Sequence, residues 1–483
     1  MKHTKKIILL ALVAVLILGA AMSASAVNSY MGLWEHVPDG EPYVFGDRVY
    51  VYGSHDVFES RMCGPNYVVW SAPVDDLTDW KYEGISFDGG KSGYLLAPDV
   101  CKGPDGRYYL YTFGDCDQGG SGATFMAVAD KPEGPFEYVG PVLVNGKSQM
   151  IFDPACFMDD DGRVWLFGGA SNIYELDPKD MRTAIAGPFQ VQEMDAKGNL
   201  TQIRNFQEGS SMRKIGDWYV FIYAGKHPID TGDWYTNNKN NKDYCNGTLE
   251  YAYSKSVTGP YTYGGVVVFN GGDTINPSPN TIEKTYYNGN THGSICQVKD
   301  QWYVFYHRQT TDKQTYRQAM CDPITVTVSD TGVQITQAEM TSQGAELNGL
   351  KATKEYSAGI ACYLTRGAYV NTDVEMFETL TPVVNIKNSA VVGFKYLNFE
   401  EGNYNVDISV KPLGNEGFVT VVLDDPANKP VATIPIPAEG ELDYVTLNAA
   451  VGQISGKHAV FFDFYAYNND QICEFADFQF NLG

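Results

Sequence analysis

The chain lacks the short motifs that mark several large classes of protein. Its nine cysteines are scattered, odd in number and form no Cys-x-x-Cys pair, so neither a closely spaced disulfide framework nor a zinc site is indicated. No glycine-rich nucleotide loop, Gly-x-Ser-x-Gly or His-Glu-x-x-His occurs. Nucleotide binding, serine-esterase chemistry and zinc-protease chemistry are therefore not indicated by any local motif.

Positive charge is also scarce. Lysine and arginine number 35 against 58 aspartates and glutamates, which gives a formal net charge of −23. A surface this acidic repels phosphate backbones, so we expect no nucleic-acid partner. The charge suits solubility, and it suits a neutral or cationic ligand, but it does not identify one.

A long apolar run occurs only at the beginning of the chain. Lys2, Lys5 and Lys6 precede the apolar stretch Ile7–Leu18, and Ala24-Ser25-Ala26 has the small residues of a cleavage site. This order predicts a secretory signal over residues 1–26 and a secreted protein. An uncleaved anchor is the alternative, although the stretch is short for a membrane-spanning helix. We expect no other membrane contact.

What is abundant is β-forming sequence with an internal repeat. The chain has 33 Tyr, 24 Phe and 49 Gly, and a Gly or Asp turn followed by a short apolar strand occurs five times. The copies recur about every 55 residues, with a longer last interval. They are Gly46–Tyr52, Asp105–Tyr111, Asp161–Phe167, Gly216–Phe221 and Lys299–Tyr306. The repeat predicts an all-β fold in which residues 27–342 form a five-bladed β-propeller.

The rest of the chain predicts a second β domain. A polar insertion, 226–247, lengthens the last interval and is expected as a loop at the funnel rim, and 324–335 reads as a hairpin. Residues 343–483 carry short alternating strands at the spacing of a β-sandwich. The expected strands are 383–386, 390–396, 404–410, 417–423, 431–436, 443–447, 458–465 and 472–480.

Three carboxylates stand seven or eight residues before repeat copies, namely Asp39, Asp153 and Glu208. The innermost strand of each blade lines the axis of a propeller, so residues at this offset would converge on one funnel. Converging carboxylates suit glycosidic-bond hydrolysis, in which one acid protonates the leaving oxygen and one base activates water. The alternative is that these residues only cap turns.

At these motifs the chain resembles the family 43 glycoside hydrolases, which are five-bladed propellers. The resemblance rests on Pro38-Asp39-Gly40, Leu96-Ala97-Pro98-Asp99, Phe152-Asp153-Pro154 and Gln207-Glu208-Gly209. It implies an inverting glycosidase with Asp39 as general base, Glu208 as general acid and Asp153 as modulator of the acid's pKa. Glu41 is the local alternative for the base. The implied substrates are plant polysaccharides or oligosaccharides that carry arabinose and xylose.

The same resemblance implies further site residues. His292 matches a histidine on the family's axis that often helps to hold a calcium ion through water, and a purely structural role is the alternative. Arg317 matches an arginine of the sugar-binding subsite. His55 and Asp56 are additional candidates for substrate binding, with a turn at the strand end as the alternative.

The C-terminal part resembles carbohydrate-binding modules of family 6. Gly393–Tyr396 and Glu474–Phe480 carry the likeness. Tyr404, Tyr465 and Tyr467 are the candidates for platforms that stack on sugar, and the alternative is that they are core or edge aromatics. Bracing of the propeller is the other role considered for the domain. A non-catalytic glycan-binding protein is the second functional hypothesis for the chain. It would be favoured by loss of a carboxylate, and all three are present.

Overall fold

A computed structural model describes residues 27–57, 62–228, 244–270, 290–312, 315–372, 381–438 and 443–483. The predicted signal over residues 1–26 lies outside this part. The described chain is built almost wholly of strands, with one short 3-10 helix at Ala358–Ile360. None of its helices is long and apolar enough to cross a membrane.

Blades 1 to 3 are antiparallel four-stranded sheets whose strands follow one another in chain order. Blade 1 is β1 (Glu41–Phe45), β2 (Arg48–Tyr52), β3 (Asn66–Pro73) and β4 (Lys81–Asp88). Blade 2 is β5 (Tyr94–Lys102), β6 (Tyr108–Asp115), β7 (Ala123–Ala129) and β8 (Glu137–Pro141), followed by the ribbon β9 (Leu143–Val144) and β10 (Lys147–Ser148). Blade 3 is β11 (Ala155–Met158), β12 (Val164–Gly168), β13 (Asn172–Leu176) and β14 (Ala184–Gln190), followed by the ribbon β15 (Gln192–Met194) and β16 (Leu200–Gln202).

Blades 4 and 5 complete the ring and confirm the predicted five-bladed propeller. Blade 4 is β17 (Phe206–Ile215), β18 (Trp218–Pro228), β19 (Tyr244–Ser254) and β20 (Thr262–Phe269). Blade 5 has three strands, β21 (Ser294–Val298), β22 (Gln301–Gln309) and β23 (Arg317–Ile324). The predicted hairpin is present as β24 (Val326–Ser329) and β25 (Gly332–Ile335).

The repeated sequence forms the second strand of each blade. Its positions fall on β2, β6, β12, β18 and β22, which are apolar because they pack against the neighbouring blades on both faces. Gly106 and Gly162 occupy the turns before two of these strands at φ of 86° and 83°, where an L side chain would be strained. The first strands lie inside, since β1 contacts β5 and β21, and β11 contacts β5 and β17.

Buried apolar clusters fill the five spaces between adjacent blades in the described structure. The cluster between blades 5 and 1 closes the ring by packing Val51 against Phe305. Asn28 strengthens the closure because its side chain donates to Asp322 and accepts from the backbone N–H of Cys321. Eight cysteines with described side chains are buried and form no disulfide among the described residues, as expected for small apolar residues.

Residues from 350 onward form the predicted β-sandwich. In its core Phe394 packs edge to face against Phe462 and Phe475, and Phe478 packs against all three rings at a tilt. The strands are β26 (Leu350–Lys351), β27 (Tyr356–Ser357), β28 (Tyr363–Leu364), β29 (Tyr369–Val370), β30 (Val383–Val384), β31 (Ala390–Pro412), β32 (Gly417–Leu423), β33 (Ala432–Ile436), β34 (Val445–Ala466) and β35 (Cys473–Leu482).

Two pairs of predicted strands are continuous in the structure. Segments 390–396 and 404–410 belong to β31, of 23 residues, and segments 443–447 and 458–465 fall almost entirely on β34, of 22 residues. The register between these strands shifts after Phe394, Phe399 and Tyr404. Such bulges interrupt the alternation of buried and exposed residues, which explains why the sequence pattern resembled turns.

The predicted insertion is shorter than expected at both ends. Residues 226–228 belong to β18 and residues 244–247 to β19, and the residues between lie outside the described part.

The sandwich contacts blade 5 directly. The backbone N–H of Val370 donates to Thr310 at 3.0 Å, and that of Ser342 donates to Lys395 at 2.6 Å.

Candidate active site

The candidate site begins where the first strands of the blades begin. Asp39 and Asp153 precede the first strands of blades 1 and 3 with left-handed backbone, at φ of 62° and 47°. Ala97 has the same feature inside β5, at φ of 29°, where the register against β6 shifts. Gly209 has the same feature in blade 4, at φ of 65°. Left-handed non-glycine residues cost about 1–3 kcal/mol each and cluster at functional sites. Here they redirect the chain at the inner ends of the blades.

Asp39 is buried among positive and hydrogen-bonding groups. Its Oδ2 accepts from Ser54 Oγ at 2.6 Å, and its two oxygens accept from Arg317 Nη1 at 3.1 and 3.3 Å. Its backbone N–H donates to His307 Nδ1 at 3.1 Å. Burial alone would raise the carboxyl's pKa, but Arg317, His307, His292 and the Ser54 hydrogen bond together lower the pKa of Asp39 to about 2. Asp39 is therefore ionised at neutral pH.

Arg317 and Asp56 form the support of Asp39. Arg317 donates to Asp56 from Nε at 3.0 Å and from Nη2 at 2.8 Å, and its backbone N–H donates to the same carboxylate at 3.1 Å. This fork is the strong bidentate geometry of arginine and carboxylate. Both side chains were predicted to bind substrate. The structure turns the guanidinium toward the two carboxylates, and sugar contact by either residue stays a prediction.

Asp153 and Glu208 form a second acidic pair. Asp153 Oδ2 accepts from the backbone N–H of Gly209 at 3.0 Å, so the two residues are held side by side. Burial, and then the charges of Glu208 and Asp39, raise the pKa of Asp153 well above its usual value. Burial and the charge of Asp39 also raise the pKa of Glu208, which receives a hydrogen bond from Asn290.

The pKa values of the two carboxyls are raised to different extents. The larger rise falls on Asp153, because it is more deeply enclosed than Glu208. Neighbouring buried carboxyls give up protons in steps that belong to the pair and not to one residue. The pair therefore retains a proton under conditions in which Asp39 has lost its own.

His292 lies beside Asp39 at the beginning of blade 5. Its Nδ1 is 3.9 Å from Asp39 Oδ1, and its buried Nε2 has no hydrogen-bond partner among the described residues. Calcium prefers a shell of oxygen ligands, and the described chain contains no group of three or more His, Cys, Asp or Glu side chains that could hold an ion. The residues therefore fit an ion held through water by His292, and they do not fit direct coordination.

His55 belongs to a separate cluster beside the site. Its Nε2 lies 3.1 Å from Glu35 Oε1 and its Nδ1 lies 2.7 Å from Asn66 Oδ1. Glu35 also accepts from Trp70 Nε1 at 3.2 Å. Burial lowers the pKa of His55, but the hydrogen bond and charge of Glu35 outweigh burial and raise it. About a quarter of the His55 side chain is exposed, at 23%, so it remains the predicted substrate ligand with open surface.

The sequence interpretation missed His307 and Asn290. His307 is fully buried on β22, and its Nε2 is 3.2 Å from the carbonyl oxygen of Asn290. Burial lowers the pKa of His307 to about 3, so its neutral ring accepts from the backbone N–H of Asp39. A polar residue directly after an apolar repeat strand was the available signal.

Glu41 does not share this position with Asp39. Its Oε2 accepts from Arg213 Nη2 at 2.8 Å and from Ser211 Oγ at 3.0 Å. The side chain is 1% exposed, so it is enclosed farther along β1. The structure disfavours Glu41 as the alternative base, because burial raises its pKa to about 8 and leaves it protonated at neutral pH, whereas Asp39 is ionised.

The arrangement provides one ionised carboxylate and one proton-bearing pair in the same buried site. An ionised Asp39 can accept a proton from water, and a carboxyl with a raised pKa can donate one to a leaving oxygen. Opposed pKa shifts on neighbouring carboxyls are a common sign of acid–base catalysis. The geometry thus suits hydrolysis with two carboxyl groups.

Comparison with family models identifies both domains. The model described as Glycosyl hydrolases family 43 matches residues 36–331, and that of Carbohydrate binding module (family 6) matches residues 367–482. The first match spans more than half of the chain and covers the propeller. The second covers most of the sandwich.

Individual proteins resemble the chain over nearly its full length. A xylosidase/arabinosidase of Thermoclostridium stercorarium is 32% identical over 94% of this chain and 99% of its own. An arabinoxylan arabinofuranohydrolase of Bacillus subtilis (strain 168) is 25% identical, covering 95% and 94%. A crystal structure of a glycoside hydrolase family 43 arabinoxylan arabinofuranohydrolase from Bacillus subtilis, in complex with cellotetraose, aligns at a TM-score of 0.45 and 21% identity, covering 93% and 96%.

Proposed function

The chain belongs to glycosyl hydrolases family 43, and from this premise we propose that it removes arabinofuranosyl or xylosyl residues from plant polysaccharides such as arabinoxylan. It is a glycosidase that hydrolyses O-glycosyl bonds, followed by a C-terminal domain of carbohydrate binding module family 6. The choice of sugar is supported by relatives named for xylosidase, arabinosidase and arabinofuranohydrolase activity.

In the proposed reaction Asp39 is the general base and Glu208 the general acid. Asp39 takes a proton from a water molecule whose oxygen forms the new bond to the anomeric carbon. Glu208 gives its proton to the glycosidic oxygen as the bond from that oxygen to the anomeric carbon breaks. Attack opposite the leaving group inverts the configuration, and such enzymes hold the two carboxyl groups roughly 6.5–9.5 Å apart.

The opposed pKa shifts of Asp39 and Glu208 are the observation that carries this proposal. Burial is common to both side chains, but Arg317 and Ser54 donate hydrogen bonds to Asp39, whereas Glu208 faces the negative charge of Asp39. Asp153 is proposed to modulate the pKa of Glu208 because the two neighbouring carboxyls do not both ionise readily. A proton is thereby kept close to Glu208. Hydrogen-bonded contact between Asp153 and Gly209 supports it.

The setting of the enzyme completes the proposal. Residues 1–26 would direct secretion, which suits an extracellular polysaccharide. We expect no nucleic-acid or membrane partner. A calcium ion held through water by His292 would add positive charge on the axis, and no step above requires it. His55 is the proposed sugar ligand at the edge of the site, and the sandwich is proposed to hold the polymer.

Hydrolysis of two synthetic substrates tests the function. We expect the purified protein to cleave aryl α-L-arabinofuranoside, aryl β-xyloside or both. Glu208→Ala should lose roughly 10²–10⁴-fold in kcat/KM on xylo- or arabino-oligosaccharides. The loss should be smaller on aryl glycosides, since a phenolate leaves with little help from an acid.

Controls separate this proposal from the alternative of a glycan-binding protein. Glu137→Ala removes an exposed glutamate of blade 2 and should leave the rates unchanged. Full activity of Glu208→Ala on the oligosaccharides would remove Glu208 from the acid role. Binding of oligosaccharide by the wild type with no turnover of any substrate would favour the non-catalytic alternative.

A further inference from the structure

A second polar cluster, which we call the axial layer, lies next to the catalytic carboxylates. It consists of Glu41, Tyr43, Asp99, Ser211, Arg213 and Ser294. Glu41 and Asp99 are each 1% exposed, yet the proposed reaction uses neither. Burying charged groups costs desolvation free energy, so we asked what function the cluster performs.

Arg213 is the centre of the axial layer. Its Nη2 donates to Glu41 Oε2 at 2.8 Å, its Nη1 donates to Tyr43 OH at 3.1 Å, and its Nε donates to the carbonyl of Ile295 at 3.0 Å. The guanidinium carbon also lies 4.4 Å from the centre of the Tyr43 ring. One side chain on β17 therefore binds β1 and β21 at once.

The remaining two blades join through Asp99. Tyr43 OH donates to Asp99 Oδ1 at 2.8 Å, and Asp99 Oδ2 accepts from the backbone N–H of Cys156 at 2.8 Å. Asp99 lies on β5 and Cys156 on β11. The network that starts at Arg213 thus reaches the first strand of all five blades.

The axial layer is tied to the catalytic residues by short stretches of the same strands. Glu41 follows Asp39 by two residues, and Ser211 follows Glu208 by three. Ser211 Oγ accepts from Arg213 Nη1 at 3.0 Å and donates to Glu41 Oε2. A shift of β1 against β17 at this level would therefore be passed to the spacing between the base and the acid.

We propose that Arg213 is a positioning residue whose guanidinium supplies the positive charge of the axial layer and fixes the spacing between Asp39 and Glu208. The catalytic part of this inference rests on the proposed function. The structural part does not, because it concerns the closure of the ring. Thermal unfolding tests whether Arg213 stabilises the closed ring. Steady-state kinetics test whether it fixes the spacing between Asp39 and Glu208.

Electrostatics make the structural part specific. The groups that face Glu41 are Arg213, Asp99, Tyr43, Cys156 and Cys296. Arg213 is the one cation among them, and without it burial and the nearby carboxyl disfavour ionisation of both acids. With Arg213 present, burial already raises the pKa of Asp99 to about 6 and that of Glu41 to about 8, so removing Arg213 costs additional stability only above the pH at which each carboxyl ionises in the wild type. The loss caused by removing Arg213 should therefore grow with pH.

The experiment compares Arg213→Met with wild type by thermal unfolding across pH and by steady-state kinetics. We expect the Tm to fall by roughly 10 °C at pH 8 and by much less at pH 5. We expect kcat to fall roughly tenfold to a hundredfold with KM within about twofold. Arg163→Met, which removes an exposed arginine paired with Asp161, is the matched control and should change neither.

Two further variants keep the test decisive if Arg213→Met does not fold. The double variant Arg213→Met, Asp99→Asn removes the carboxyl of the axial layer that ionises between pH 5 and 8 and should regain Tm at pH 8 while kcat stays low. Arg213→Lys keeps the positive charge but loses the forked guanidinium. Its Tm and kcat should lie between those of the wild type and those of Arg213→Met. Equal recovery of Tm and kcat in the double variant would overturn the positioning role. A pH-independent loss of Tm in Arg213→Met would overturn the electrostatic one.

Discussion

Two arginines on the propeller axis contact carboxylates in different ways. Arg317 grips Asp56 with two side-chain nitrogens and turns a third toward Asp39. Arg213 donates to one carboxylate, that of Glu41. Its other hydrogen bonds go to a tyrosine hydroxyl, a serine hydroxyl and backbone carbonyls. The first arrangement creates an ionised base, and the second joins strands.

The two carboxyls that lie two residues apart on the chain show the consequence. Asp39 has a pKa lowered to about 2, whereas burial raises the pKa of Glu41 to about 8 even with Arg213 in contact. Both oxygens of Asp39 accept hydrogen bonds, from Arg317 and from the Ser54 hydroxyl. Glu41 faces Asp99, and its Oε1 has no hydrogen-bond partner among the described groups. Burial alone therefore does not determine the pKa of a carboxyl. The hydrogen-bond donors and charges around its two oxygens decide whether the pKa is raised or lowered.

Replacing Asp39 should produce the largest change. Asp39→Asn keeps the shape but cannot accept the proton from water, so kcat/KM should fall by roughly 10²–10⁴-fold. The measurement is the initial rate on the better of the two aryl glycosides. Because the replacement leaves the other residues of the site in place, KM should change little. A loss of less than about threefold would contradict the base assignment.

Replacing Asp153 should change the pH profile more than the maximal rate. The pair formed with Glu208 keeps its proton because two buried carboxyls cannot both ionise readily. Asp153→Asn removes that constraint, so the alkaline limb of kcat/KM should move to lower pH by about one unit or more. The profile is recorded on a substrate with a poor leaving group. An unchanged alkaline limb would show that Asp153 does not control the acid.

Replacing Glu41 should have the smallest effect and thereby sharpen the comparison. Since its pKa is raised to about 8, Glu41 is largely protonated at pH 6, and Glu41→Gln substitutes one neutral group for another. We expect kcat/KM at pH 6 within about threefold of wild type, because a neutral replacement removes no transition-state interaction. A loss as large as that of Asp39→Asn would reverse the roles assigned to the two carboxyls.

The sequence predicted the ring and the pocket by different routes. The apolar second strands repeat visibly because each packs between two blades, and a fixed offset from them located Asp39, Asp153 and Glu208. The sequence pattern did not predict His307, because this residue follows the apolar part of its repeat strand.

The axial layer could not be found from local sequence. Arg213 and Glu41 are separated by 172 residues along the chain and meet only when the ring closes. Arg317 and Asp39 are likewise 278 residues apart, and the resemblance alone suggested a sugar-binding arginine. In the sandwich, bulges in β31 and β34 disguised two long strands as four short ones.

The anomeric configuration of the first product tests the central claim most directly. Proton NMR recorded during hydrolysis of an aryl β-xyloside, or of an aryl α-L-arabinofuranoside if that is the better substrate, distinguishes the two anomers before they interconvert. If Asp39 activates water while Glu208 protonates the leaving oxygen, α-xylose or β-arabinofuranose appears first. Initial release of the anomer with the substrate's own configuration would contradict the account, because it would require a covalent intermediate on a carboxylate.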